Sequence, residues 1–209
     1  MHVLTAVGFA AILAVLAPTT TMATEETPFR TLEQDGSFAL REYSAYVVAE
    51  TRVESDFSTA GSIAFQRLFR YISGNNTAQQ KIAMTAPVSQ SRGEKIAMTA
   101  PVSQVADGTA YRVAFTLPSN YTRATAPKPL DPTIQIREVP AALVACWRYS
   151  GLWSESNYRD NETRLRERIK ARRLVIRGEP ILARYNPPFT PWFMRRNEVL
   201  IAVSAATAR

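Results

Sequence analysis

The segment Arg41-Glu42-Tyr43-Ser44-Ala45-Tyr46-Val47-Val48-Ala49 lines up with Arg137-Glu138-Val139-Pro140-Ala141-Ala142-Leu143-Val144-Ala145 at a constant offset of 96 residues. Each segment is strand-like, and each is followed at nearly the same spacing by a helix-like one, so the chain reads as two related halves of one fold. At 209 residues it is long enough for one well-buried domain and short for two.

In the first half Ala60, Ala64, Leu68, Tyr71 and Ile72, with Phe65 and Phe69 alongside, recur at helical spacing. Asp56 or Ser58 can cap the start of this helix, and Gly74 with Asn75-Asn76 can end it. Its counterpart, about 157–173, has a narrower stripe of Tyr158, Leu165 and Ile169 under a charged surface rich in arginine. Helical spacing scatters those charges and no aromatic residues interleave with them, so they read as a solvated face, and no nucleic-acid partner is expected. Short β-like runs follow each helix: Ile82 to Val88, Ile96 to Val102 and Tyr111 to Leu117 in the first half, and Leu174 to Ile176, Ile181 to Tyr185 and Glu198 to Val203 in the second. Strand, helix and antiparallel strands, used twice, predict an α+β domain in which a curved sheet or barrel carries two helices.

A second repeat lies inside the first half. "KIAMTAPVSQ" occupies Lys81 to Gln90 and again Lys95 to Gln104. Alternation would put Ile82, Met84, Ala86 and Val88 on one face, and the six residues Ser89 to Glu94 between the two strand-like runs can reverse the chain. The expectation is a hairpin lining one wall, with Met84 and Met98 turned toward the same apolar region, and with Pro87 and Pro101 at an edge, bulge or strand end.

Residues 1–23 read as a secretory signal peptide, an apolar run from Val3 to Ala17 followed by Thr21-Met22-Ala23, leaving a mature domain of 24–209 and an exported, periplasmic location. The leader carries the sole histidine, His2, so the mature domain lacks the commonest metal ligand and the usual general base. No nucleophile–base motif, Gly-rich phosphate loop or Cys/His cluster is present, and the expectation is a protein that is not an enzyme and holds no metal through its own side chains. Cys146, the sole cysteine, sits in an apolar run and reads as a small buried hydrophobe. The formal charge of +7 implies weak attraction to anionic membrane surfaces, and the protein is expected to act as a monomer.

The ordered motifs "RLFRYISGNN", "KIAMTAPV", "LPSNYT", "KPLDP", "REVPA", "YSGLWSESNY" and "YNPPFTPWFMRRNEVLI" resemble the SOUL / haem-binding protein family over nearly all of Phe29 to Val203, particularly its bacterial members, where the MTAPV element commonly occurs twice. The resemblance implies a distorted antiparallel β-barrel of two pseudo-symmetric halves with two helices, and binding of haem or another tetrapyrrole. In the animal members the porphyrin lies on an apolar patch formed by the first helix and a late hairpin loop, with basic side chains near the propionates. Motif by motif, that helix corresponds to Ile63 to Tyr71 and the loop to Pro191 to Asn197, with Arg67 and Arg70 at basic positions of the helix and Arg195 and Arg196 in the loop's RRNEV motif. Ile63, Arg67 and Arg70 fall at i, i+4 and i+7, so one helical face would carry an apolar contact and two guanidinium groups suited to carboxylates. Trp192, Phe193 and Met194 could cover the ring.

A member that uses an axial histidine has no counterpart in this mature chain. Iron, if ligated, would need Met84, Met98, Met194, Cys146 or a tyrosine; the reading adopted is that ring burial and propionate–arginine pairing carry the affinity. The leading expectation is thus a non-enzymatic tetrapyrrole carrier or buffer, and the alternative is a general small-ligand module of the effector-binding kind with no haem role.

Overall fold

In the computed structural model, which describes residues 25–77 and 93–206, each copy of the nonapeptide is broken in the middle, at Ser44-Ala45 and at Pro140-Ala141, into two strands. The elements in chain order are β1 (Phe29–Asp35), β2 (Phe38–Tyr43), β3 (Tyr46–Val53), α1 (Phe57–Ile72), β4 (Asn76–Thr77), β5 (Val102–Asp107), β6 (Ala110–Thr116), β7 (Lys128–Pro129), β8 (Ile134–Val139), β9 (Ala142–Tyr149), α2 (Glu155–Ala171), β10 (Leu174–Ile176), β11 (Ile181–Arg184), a 3-10 turn at Trp192–Met194, and β12 (Asn197–Ala205). The fold is α+β.

The breaks let each half hand its first strand to the other. β2 pairs with β9, and β3 pairs with β8, both antiparallel. The registers exchange under the repeat: Arg41 faces Val144 while Val48 faces Arg137, and Tyr43 faces Ala142 while Tyr46 faces Val139. The main sheet runs β1-β2-β9-β12-β11-β5-β6-β3-β8, with β10 also on β12, and the β5–β11 ladder joins the two halves at its centre. Strands β2 and β3 lie far apart in that order yet are joined by two residues, as are β8 and β9, so the sheet must curl strongly. It does not close: β1 and β8 are its two ends among the described residues, which corrects the expected barrel to an open, curled sheet.

Alternation then sorts side chains between the two faces. Val47, Ala49, Val113, Phe115 and Ile134 turn outward under α1 and meet Ala60, Ala64, Leu68 and Tyr71. Phe38, Ala145, Val199, Ile201 and Leu182 do the same under α2, against Tyr158, Leu165 and Ile169. Helix α1 starts where Asp56 accepts hydrogen bonds from Ser58 N and Thr59 N, both 3.0 Å, and ends at Ser73 before Gly74, whose φ of +113° suits glycine. Ser154 starts α2 two residues earlier than the periodicity suggests, its Oγ accepting from Asn157 N.

The first decapeptide copy, with Met84, lies outside the described residues. The second copy does not form the expected strand from Ile96. Its first residues run irregularly, with Ile96 N bonded to Ile72 O at 2.8 Å and Ala100 N to Glu25 O at 2.8 Å, and β5 begins only after Pro101. Proline has no N–H for a ladder, and the neighbouring backbone groups are already engaged by the end of α1 and by the incoming chain at Glu25 and Thr27. Ile96 is consequently buried while Met98 is 41 % exposed, so the two do not share an inward face.

Candidate ligand-binding site

The loop between β11 and β12 carries Phe189, Trp192, Phe193 and Met194, four large apolar side chains that are 56–86 % exposed. A row of this kind on a surface marks an interaction site rather than a packing need. The loop beneath it is tied down. Arg195 donates Nε to Thr190 O (2.8 Å) and Nη2 to Pro188 O (2.9 Å), Arg196 N donates to Asn186 Oδ1, and Gly151 N donates to Trp192 O at 3.0 Å. The Trp192 and Phe193 rings meet edge to face at 5.6 Å.

Behind this ridge stands Trp153, its indole N–H donated to Asn197 Oδ1 at 2.8 Å. Two guanidinium groups lie on its ring, Arg195 at 4.1 Å and Arg184 at 5.1 Å. Arg184 also lies 5.9 Å from the Phe57 ring at the start of α1. Its hydrogen-bond partner is Gln104 Oε1 at 3.3 Å, and its Nε has none. Burial lowers its basicity to a pKa of about 10, with Arg195 adding to the depression against the favourable pull of Tyr149. It therefore stays cationic at neutral pH. The close approach depends on Gly61, where an added Cβ would come within 3.0 Å of Gln104 Oε1 and 3.1 Å of Arg184 Nη1. A groove of about 490 Å³ opens beside these groups, lined by Asp56, Phe57, Ser58, Leu152, Trp153, Ser154 and Glu155.

Of the residues expected at the site, Trp192, Phe193 and Arg195 come together here, with Met194 beside them. Others fall elsewhere. Gly61 is the α1 residue that faces Arg184, whereas Ile63, Arg67 and Arg70, two, six and nine positions further on, lie on the opposite flank of α1. There Arg67 donates to Arg52 O at 3.4 Å, and both arginines help hold the Asp131 carboxyl low, behind the hydrogen bonds from Thr133. Tyr71 is fully buried and donates its hydroxyl to Pro127 O, a core position rather than a contact surface. Arg196 points to the other side of the sheet, where it pairs with Glu26 and Glu198 and lies 3.8 Å over the Tyr185 ring. Met98 stays on the surface; so does Phe69, which is 46 % exposed and stacks on Phe65 at 5.9 Å. Arg184, Trp153 and Gln104 were missed, because each belongs to a different strand or loop and no local pattern links them; the only signal was an arginine inside the apolar run of β11.

The opposite, inner face of the curled sheet holds a cleft of about 140 Å³ between the halves, walled by Val48, Val105, Ala114, Val144, Leu200 and Ala202. That is below the ~300 Å³ at which small-molecule pockets begin, so the inner cleft is too small for a porphyrin. Cys146 is no candidate for iron: it is buried on the inner side, and desolvation pushes its thiol up to about 12. Among the described residues no cluster of three or more His, Cys, Asp or Glu side chains could hold a metal.

These features define a two-repeat α+β domain with an exterior apolar shelf backed by arginine. A family model described as "SOUL heme-binding protein" matches residues 24–202, and the chain belongs to that family. No curated protein matches it. Among solved structures, the C-terminal domain of EcmrR is similar with a TM-score of 0.58 and 12 % identity, over 81 % of this chain and 98 % of that one. Two hydrolases from Listeria innocua are similar with TM-scores of 0.52 and 0.54 and identities of 10 % and 8 %, covering 83 % and 80 % of this chain and 94 % and 92 % of theirs. At such identities the likeness is one of fold.

Proposed function

We propose that this protein is an exported, non-enzymatic carrier or buffer for haem or a related tetrapyrrole, which it seats on the outer shelf made by Phe189, Trp192, Phe193 and Met194. The observation that carries the reading is that exposed apolar ridge standing directly beside two arginines stacked on Trp153, in a chain of the haem-binding SOUL family. A tetrapyrrole supplies a flat apolar plate with carboxylates on one edge, and with iron bound, a redox-active centre. The chain's own part is to cover one face with aromatic rings, offer guanidinium groups to the acid edge, and exclude water from the contact. With the sole histidine at position 2, affinity would rest on burial and charge rather than on an imidazole ligand.

Titration of the full-length protein with haemin and with iron-free protoporphyrin tests this, read by the Soret band and by quenching of Trp153 and Trp192. Both should bind saturably and about equally. Trp192→Ala with Phe193→Ala should weaken binding roughly tenfold, at about 0.5–1.5 kcal/mol per aromatic contact, while leaving Tm unchanged because both side chains are exposed. Linear, unsaturable uptake of both porphyrins would rule the reading out and favour the smaller-ligand alternative.

A further inference from the structure

Buried charge in this molecule is otherwise compensated with care. Arg41 and Glu198 meet at 2.6 Å, and the buried Glu162 accepts from both Arg159 (3.0 Å) and Arg166 (2.8 Å). Arg184 is the exception. No ion pair reaches it among the described residues, its neighbours are Trp153, Phe57, Tyr149, Gln104 and a second cation, Arg195, and its Nε is left without a partner. Placing a guanidinium away from water with neither counter-ion nor full hydrogen bonding works against stability. The two acids of the adjacent groove are occupied: Asp56 caps α1 through Ser58 N and Thr59 N, and Glu155 pairs with Arg159 at 3.3 Å. Gly61, with no side chain, lets Nη1 pack close against α1. Such an arrangement is costly alone and favourable once an anion arrives.

We propose that Arg184 is a preformed receptor for a carboxylate of the bound ligand, a planar apolar molecule whose acid group enters between Trp153 and the N-terminal end of α1 while its ring rests on the 189–194 ridge. The acid pairs with Arg184, Arg195 supplies a second positive charge from the other contact on the Trp153 ring, and Arg67 and Arg70, on the far flank of the helix, take no part. This rests on the tetrapyrrole reading for the identity of the ring, and on the geometry around Arg184 for the acid.

The test uses the full-length protein, its Arg184→Met variant, and three probes: haemin, haemin dimethyl ester, and naphthalene-2-carboxylate. The variant keeps side-chain volume and removes the uncompensated charge. Its Tm should equal or exceed that of the parent, while its affinity for haemin falls roughly 10- to 100-fold, the scale of a charge-assisted pair. The parent should bind haemin more tightly than the ester, and the variant should bind the two alike. If the parent binds haemin and ester equally, or the variant keeps full haemin affinity, the receptor proposal is overturned and tetrapyrrole binding stands. If neither porphyrin binds but naphthalene-2-carboxylate raises the Tm of the parent and not of the variant, the tetrapyrrole reading fails and the carboxylate receptor stands. If no probe binds the parent, both fall. The acid–ester comparison on the unaltered protein decides the matter even if the variant does not fold.

Discussion

Glu198 shows how one residue can hold a fold's interior together. Its side chain is fully buried on the inner face of β12, yet five donor atoms from three side chains converge on it: Arg41 Nη1 at 2.6 Å and Nη2 at 3.1 Å, Arg196 Nε at 3.1 Å and Nη2 at 3.0 Å, and the Tyr185 hydroxyl at 2.9 Å. Burial alone would raise the carboxyl pKa, but the hydrogen bonds and charge of Arg41, with Arg196 and Tyr185, outweigh it and hold the group below its ordinary 4.5. A depressed folded pKa means stability that is present above the unfolded value and lost as pH falls through the folded one. Glu198→Ala should therefore cost about 3–5 kcal/mol at pH 7, since it strands Arg41 as an uncompensated buried charge. Urea denaturation should show that gap narrowing below pH 4.5, where the native protein must protonate the same group. A gap that stays constant to pH 2 would mean the carboxylate does not carry the network. Arg196 spends itself here, so the RRNEV motif is divided: Arg195 lies over the Trp153 ring and Arg196 pairs with Glu198.

At the scale of elements, what could be read in advance was what a segment decides for itself. Helix α1 was legible because its core stripe repeats every three to four residues, and the nonapeptide repeat because its two copies keep a constant offset; the break that splits each copy into two strands was not read. Strand β1 was not legible. Arg30, Thr31, Glu33, Gln34 and Asp35 are all exposed and show no apolar alternation, so nothing local distinguishes the segment from a loop. It is held from outside, by β2 across the two-residue turn at Gly36 and by α2, whose Arg172 reaches Glu33 (2.7 Å) and Asp35 (2.9 Å) while covering the Phe38 ring at 4.0 Å. The same logic hid the Arg184 site, which needs β5, β11, α1 and the Trp153 turn to converge. Arg172→Ala should accordingly loosen β1 more than it harms the whole: about 1 kcal/mol in global stability, the scale of exposed pairs and one cation–π contact, but faster amide exchange along the β1–β2 ladder. Unchanged exchange there would show that the β2 pairing alone orders the edge.

For the molecule as a whole, the exchange of first strands has a mechanical consequence. Half one contributes β2 to the ladder with β9, and half two contributes β8 to the ladder with β3, while β5 and β11 stitch the centre. Neither half keeps a complete sheet if the other opens, so pulling either apart exposes the apolar rows under both helices at once. The three tryptophans, Trp147, Trp153 and Trp192, all lie in the second half, and the amides of α1 report on the first. Unfolding in urea followed by tryptophan fluorescence should therefore give the same free energy as native-state exchange of the slowest α1 amides. Were α1 to exchange through an opening that costs several kcal/mol less than the fluorescence transition, the halves would be separable, and the rigid backing that places Gly61 against Arg184 could not be assumed to persist in the absence of ligand.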